Sequence, residues 1–573
     1  MEILNFDMET TGLEWNDTFR IAVVTGSTLH RSKTVVCDTP SELAELLMAE
    51  LQTRGPIAGH NIVGFDLPFL LRQLEKGERD NLLSHLRTVP ECIYDTCIAS
   101  RLACPDMVHH SMDAWVDKLK LHKKIEVPEW SAASMKLLEE RCLVDVENQV
   151  WITKWFTDQF SRDYELVPGH VECAQIFPFL IEATELGVPV DDTGLERIRR
   201  EHEEKALRQR MRCQYLLQTP GINPNSNEQV SEALVAMYKK GLPRSPKGRA
   251  QLNKTNREEM KITFPPIKHV LAHQEQLREN RRLNPVSKES FFYGPAYDPV
   301  DRRVFPKISV CGQAGLRTNN REPMINNAPK SMRDIVYRNG RIWAGADIRG
   351  LEWRILAVTL AELGGDDSVL REVEINVCPK RRTVDEFENL MFNVPEEDRK
   401  DFAKTFNYAF MYGQQITASL ASFGLDDSYE AEFMDALNRR FPGVSRLKKH
   451  FRAEERDGTI RNYYDIPVKV QSHTHINAYV QSTGAVYAYM LFGLYWEKLS
   501  SAYPDVEPVL MNHDEVQVTF AEPLGRPDEW HPVIDNRCTE AAEHALKQYE
   551  DQYQLPAFAP IDIEVGDSWK ESH

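Results

Sequence analysis

The stretch MNHDEVQVT (residues 511–519) sets two carboxylates, Asp514 and Glu515, side by side between apolar and β-branched residues. Adjacent like charges repel and are costly to bury. Either they are turn acids in water, or a cation belongs beside them. Other acids pose the same question. FDMETTGL (6–13) carries Asp7 and Glu9 at the end of a strand, where positions i and i+2 share a face and aim at one point. HNIVGFDLPFLL places Asp66 at the start of a helix, and ERCLVDVENQVWITKWF places Asp145 within one. WAGADIRGLEWRILA (343–357) puts Asp347 at a strand end and Glu352 on the first turns of the helix that follows.

One helix could answer such acids with charge and shape. In RKDFAKTFNYAFMYG (399–413), Lys400, Lys404, Tyr408 and Tyr412 recur every four residues and form a single stripe. Lys400 to Tyr408 spans about 12 Å at ~1.5 Å per residue, close to the length of a nucleoside triphosphate. The ordinary alternative is an amphipathic helix with aromatic core residues and snorkelling lysines.

These residues sit on an α/β chain of 573 residues, which at roughly 100–200 residues per domain is enough for two to four domains. Apolar residues make up 42% and charged residues 27%, an ordinary globular balance. No apolar run approaches the ~20 residues of a membrane span, no signal peptide precedes the strand-like MEILNF, and ten scattered cysteines suit a reducing compartment. A cytoplasmic protein is expected. The net charge of −18 argues against a nucleic-acid partner, yet Lys239–Lys288 holds 13 Lys/Arg against 4 Asp/Glu, a local +9 that could track phosphates. Residues 1–160 read as α/β, 161–290 as mainly helical, and α/β character returns after 300, ending in a hairpin around His513.

Asp347 with Glu352, the 399–413 helix and the Asn-His-Asp-Glu hairpin resemble motifs A, B and C of family A DNA polymerases. GLRTNNREPMINNAPK (315–330), INAYVQSTGA (476–485) and GDSWKESH (566–573) match further segments of that family in order. The sub-pattern of Gly350-Leu351-Glu352, Tyr408 and Gln481-Ser482 is closest to bacteriophage replicative members. The resemblance implies template-directed synthesis from dNTPs on primer–template DNA, with two Mg²⁺ ions (Mn²⁺ as a substitute) bridged by Asp347 and Asp514. Glu515 would support the primer terminus, since strand neighbours face opposite ways. Lys404 would meet the α-phosphate, and Lys400 with Arg399 the outer phosphates. Tyr408 would stack by the incoming sugar. Glu352 matches the gate against a 2′-hydroxyl, with Tyr412 supporting it. Arg317, Asn326, Asn327, His473, Asn477, Gln481 and His513 would contact DNA. Two departures stand out. Arg349 replaces a small or polar residue, and a family His is missing before the nucleotide helix, where Lys380, Arg381 or Arg382 would take over.

The N-terminal acids resemble the DEDD-type 3′–5′ exonucleases of RNase H-like fold, with Asp7, Glu9, Asp66 and Asp145 as ligands of two divalent ions and Asn61 also fitting the phage-type pattern. Proofreading members usually carry Tyr four residues before the last Asp; here it is Arg141. Metal binding is expected to survive and hydrolysis to be attenuated. The implied layout is an exonuclease over 1–165 and a right-hand polymerase over 166–573, with thumb about 190–300, palm about 301–360 and 490–573, and fingers about 361–489. The exonuclease motif begins at the N-terminus, so no 5′-nuclease domain is expected. No thioredoxin-binding insertion is expected in the thumb. The competing readings are a single-subunit RNA polymerase, opposed by Glu352, and a nuclease carrying an inactive polymerase body, opposed by intact Asp347, Lys404, Tyr408 and Asp514.

Overall fold

The computed structural model describes residues 3–12, 14–26, 34–160, 167–253, 256–284, 286–287, 290, 294–328, 333, 341–374, 383–385, 394–412, 416–417, 420, 423, 425–471, 474–521, 527–553 and 559–572. The chain divides into two compact units. One comprises residues 1–187, 307–319 and 340–573; the other comprises 188–306 and 320–339.

Two larger sheets are described in the larger unit, beside the short hairpin of Thr459–Arg461 and Pro467–Lys469. In the first, strands β1 (Leu4–Thr10), β2 (Phe19–Gly26), β3 (Val35–Cys37), β4 (Ile57–Gly59) and β5 (Ile93–Asp95) lie in the order β3-β2-β1-β4-β5. β1 pairs antiparallel with β2 and parallel with β4. The helix Met135–Phe160 packs across β1 and β2. The second sheet is antiparallel, in the order Val506–Asn512, Glu515–Ala521, Arg341–Ile348, Ile561–Gly566. Its central strand, RIWAGADI, is buried along most of its length because neighbours pair on both sides. Gly345 is required there: a β-carbon would fall 1.9 Å from the Ser572 carbonyl oxygen, so only glycine lets the C-terminal turn lie against the strand.

The helix His475–Ala502 is apolar on nearly every face and buried along most of its length, as such a pattern requires. It meets the N-terminal region through a buried polar contact. Arg87 donates to both oxygens of Glu182, at 2.7 and 2.5 Å, and Trp496 Nε1 donates to Glu182 Oε1 at 3.1 Å. Arg79 grips Glu185 in the same two-pronged way, at 2.8 and 2.6 Å. Burial pushes the Glu182 carboxyl upward and Arg87 pulls it back.

The smaller unit is built from the helices Asp192–Leu216, Asn227–Tyr238, Arg257–Thr263 and Ile267–Leu283 and the small sheet Val188–Pro189, Arg303–Val304, Tyr297–Asp298. Its own core gathers Cys213, Leu217, Val230, Leu234, Phe264 and Val270. The cationic block of the sequence falls on this unit, with Lys239, Lys240, Arg244 and Lys268 exposed.

Arg87→Met leaves Glu182 charged and buried, so it is expected to cost about 3 kcal/mol in chemical denaturation. Arg87→Met with Glu182→Gln orphans no charge and is expected to be less destabilised than Arg87→Met alone; equal losses would contradict this account.

Candidate active sites

The hairpin that carries Asp514 turns in two residues. Asn512 pairs with Glu515 across it, leaving His513 and Asp514 as the loop. His513 takes a left-handed φ of 65°, a strained setting for a residue with a β-carbon. The loop is tied to the neighbouring strand because Ile348 N–H donates to the Asp514 carbonyl at 2.9 Å. In the same register Asp347 lies opposite Glu515. Asp347 and Asp514 therefore stand at adjoining strand ends, 167 positions apart in the chain, and both are half-buried.

Glu515 points elsewhere. It is 2% exposed, and its Oε1 accepts from Trp569 Nε1 at 3.1 Å and from Gln517 Nε2. Gln517 in turn donates to the Ser572 carbonyl at 3.0 Å. The two adjacent acids thus part company: one sits on the turn, the other inside the sheet under the C-terminal segment. The alternation of a strand announced this parting, but nothing in the sequence named Trp569 as the partner.

The helix Arg399–Tyr412 turns its aromatic end toward the turn. Tyr412 OH donates to Glu352 Oε2 at 3.3 Å, and Arg317 Nη2 donates to Glu352 Oε1 at 2.5 Å. Tyr408 packs on Trp353 with ring centroids 5.5 Å apart. Burial raises the Tyr408 phenol, and the charges of Glu352 and Asp514 add to it; Tyr412 is raised by burial and Glu352. Lys400 and Lys404 are exposed at the other end of the same stripe. Lys448 anchors the helix, donating to the Phe410 carbonyl at 3.1 Å. A small cleft is lined by Arg317, Glu352, Gln481, His513 and Asp514. Burial pushes the Asp514 carboxyl up; Glu352 and Glu515 add to this, while Arg317 opposes it. Two half-buried carboxylates on adjoining strand ends, one of them pushed above the usual range by burial, are a donor set that suits divalent cations.

Other sequence-derived candidates fall as follows. Asn477 is half-buried on the helix that carries Gln481, and its Oδ1 is buried without a hydrogen-bond partner. Asn326 and Asn327 lie in the smaller unit on a 3₁₀ turn, where Asn326 accepts from Asn320 at 2.8 Å. Arg349 forms a two-pronged pair with Asp562 on the edge strand, so this departure from the family pattern has a structural partner. His473 and the Lys380, Arg381, Arg382 group lie outside the described residues.

The second centre lies on β1. Asp7, Glu9 and Asp145 each offer an oxygen within 4.8 Å of the others. Asp66 lies beyond that trio yet is near enough for its charge to raise Asp7. It starts a helix at Phe65–Asp66, and the loop before it is fixed by buried Asp95, which accepts from the N–H groups of Asn61 at 3.0 Å and Val63 at 3.1 Å. Burial is the largest cause of the shifts at this centre, and mutual repulsion adds to it. Asp7 is pushed well above the usual range, Glu9 to about 7 and Asp66 to about 8. Asp145 is also raised by burial, with Lys124 and Arg141 pulling it back. Lys124, which no motif suggested, stands 3.9 Å from Asp145.

The model of DNA polymerase family A matches residues 192–571. A curated DNA polymerase I from Aquifex aeolicus (strain VF5) is 22% identical over 574 residues, covering 92% of this chain and 89% of the relative. Among solved structures, the POL domain of Pol1 from M. smegmatis, in complex with DNA primer-template and dNTP, superposes with a TM-score of 0.72. It is 15% identical and covers all of this chain and 96% of its own. The chain belongs to DNA polymerase family A. Among the described residues no helix is long and apolar enough to cross a membrane.

The Asp66 carboxyl holds its proton to about pH 8 when folded, against a usual value of 3.8. Folding therefore takes up a proton between these values, and stability attributable to this group falls as pH rises through that window. In EDTA, Asp66→Asn is expected to gain stability over the parent increasingly from about pH 4 to about pH 8. Thermal melts across that range showing a constant difference would contradict it.

Proposed function

We propose that the chain extends a primer 3′ end on a DNA template from dNTPs, as a genome-replicating polymerase of the bacteriophage type. The observation that carries this is the strand seam that sets Asp514 beside Asp347, with the Tyr408–Tyr412–Glu352 face turned toward Asp514. In this reading residues 166–573 form the polymerase, with the thumb at about 190–300, the palm at about 301–360 and 490–573, and the fingers at about 361–489. Residues 1–165 form an RNase H-like 3′–5′ exonuclease that edits the same end.

A pair of Mg²⁺ ions held by Asp347 and Asp514 would supply charge neutralisation to the triphosphate and lower the cost of an attacking 3′-oxygen. The protein's own groups do the rest. The primer 3′-oxygen attacks the α-phosphorus and pyrophosphate leaves. Lys404, on the exposed half of the stripe, holds the α-phosphate, and Lys400 with Arg399 holds the outer phosphates. Lys400 serves as a point charge where the family's usual Arg would offer a fork. Tyr408 supports the sugar. Glu352, clamped from both sides by Arg317 and Tyr412, cannot swing away from a 2′-hydroxyl. Arg317, Asn477 and Gln481 follow the new base pair by minor-groove acceptors that all pairs share, and Asn326, Asn327, His473 and His513 contact DNA. The cationic face of residues 239–288 grips phosphates without reading sequence.

At the first sheet, Asp7, Glu9, Asp66 and Asp145 form the editing centre, where water attacks the terminal phosphodiester and a nucleoside monophosphate leaves. The carboxylates suit divalent cations by their crowding and by the buried, unpartnered Asp145 Oδ1.

A primer–template assay separates these roles. Asp514→Ala is expected to abolish extension, by 10³-fold or more on the scale of lost electrostatic stabilisation of a transition state, while a mismatched 3′ end is still degraded. Asp7→Ala with Glu9→Ala is expected to do the reverse. Glu352→Ala is expected to raise ribonucleotide incorporation relative to dNTPs. Undiminished extension by Asp514→Ala would remove the polymerase site from this location.

A further inference from the structure

The arginine that breaks the exonuclease pattern is built into the carboxylate centre. Arg141 and Asp145 are one helical turn apart on Met135–Phe160, so both side chains leave the same face. Arg141 Nε donates to Glu9 Oε1 at 2.8 Å, and its Nη2 stands 3.7 Å from Asp145 Oδ2. Its Nη1 donates to the Ile125 carbonyl, and its guanidinium carbon lies 4.7 Å from the centre of the Trp130 ring. Four contacts from four directions hold a side chain only 13% exposed. A guanidinium so fixed is not a surface arginine that has drifted toward an acid. Lys124 Nζ sits 3.9 Å from the same Oδ2 and 3.8 Å from Asp113.

Charge counting then matters. With all four carboxylates ionised around a bound cation, they carry four negative charges, and Arg141 with Lys124 returns two, leaving the charge of one divalent cation. One place on the centre remains unserved: Asp145 is 4% exposed and its Oδ1 has no hydrogen-bond partner. Glu9, by contrast, is committed to Arg141. Removing that partner to seat a metal on Glu9 would strand a mostly buried guanidinium.

We propose that Arg141 is a resident counter-cation of this centre, supplying in place the charge that a second ion would bring, so that the folded chain takes one divalent cation on the Asp7–Asp145 side rather than two. The proposal rests on the reading of this cluster as a metal-binding editing centre. It makes Arg141 a positioning residue for Glu9 and sets the metal stoichiometry of the site.

The test counts bound Mn²⁺ on the full-length chain by equilibrium titration with electron paramagnetic resonance detection, alongside circular dichroism to verify folding. Four proteins are compared: the parent, Asp7→Ala, Arg141→Tyr and Arg141→Gln. The expected result is that Asp7→Ala binds one ion fewer than the parent, while both Arg141 variants bind one ion more. Arg141→Gln keeps most of the side-chain length should Tyr fit poorly. Loss of two ions on Asp7→Ala, or unchanged counts in the folded Arg141 variants, overturns the counter-cation role and leaves the metal centre standing. No loss on Asp7→Ala together with no gain in either Arg141 variant rejects the metal centre and the proposal together.

Discussion

Carboxylates gathered in surroundings of low dielectric repel one another, and both centres of this chain are organised around that repulsion. At the second sheet, antiparallel register forces Asp347 and Asp514 to adjoining strand ends, and the Ile348–Asp514 backbone bond prevents the turn from relaxing away. At the first sheet, β1 and the helix Met135–Phe160 press Asp7, Glu9 and Asp145 together. Neither arrangement improves folding on its own. Each is held by cores of large apolar and aromatic side chains, among them Trp343, Trp496, Phe6 and Phe156, that are fully buried. Stability is thus generated away from the sites and used to keep like charges close.

The two centres resolve the repulsion differently. At Asp514 burial raises the carboxyl, and Arg317, itself paired with Glu352, opposes the charges of Glu352 and Glu515. Glu515 is withdrawn into a hydrogen-bonded pocket made by Trp569 and Gln517, which gives the C-terminal segment a part in shaping the site. At Asp7, protein cations have entered the cluster itself.

Much of this was legible in the sequence because it depends on local periodicity. The i, i+2 spacing of Asp7 and Glu9, the four-residue stripe ending in Tyr408 and Tyr412, and the apolar run of 475–502 each specify a face before any tertiary contact is known. The two-residue turn at His513–Asp514 was visible as a hairpin. The meeting of Asp347 and Asp514 came only through the family resemblance, and the other long-range pairings were not legible. The departure at Arg141 was plain, but its capture of Glu9, 132 positions away, depends on how β1 meets a distant helix. Lys124 carries no motif, and Trp569 belongs to a recognised ending without announcing its bond to Glu515. The larger compact unit runs to Gly187 and takes up residues 307–319 and 340–573 as well. Packing between segments, rather than chain composition, draws that boundary.

The central claim is that the adjoining aspartates share divalent ions opposite the lysine–tyrosine helix. Its most direct test is a crystal structure with a chain-terminated primer–template, a non-hydrolysable dNTP and Mn²⁺, using anomalous scattering to locate the metal. Two peaks roughly 3.5–4 Å apart, both ligated by Asp347 and Asp514 and facing Tyr408, are the expected result. Peaks that leave Asp514 without a metal contact, or that lie away from the helix face, would contradict it.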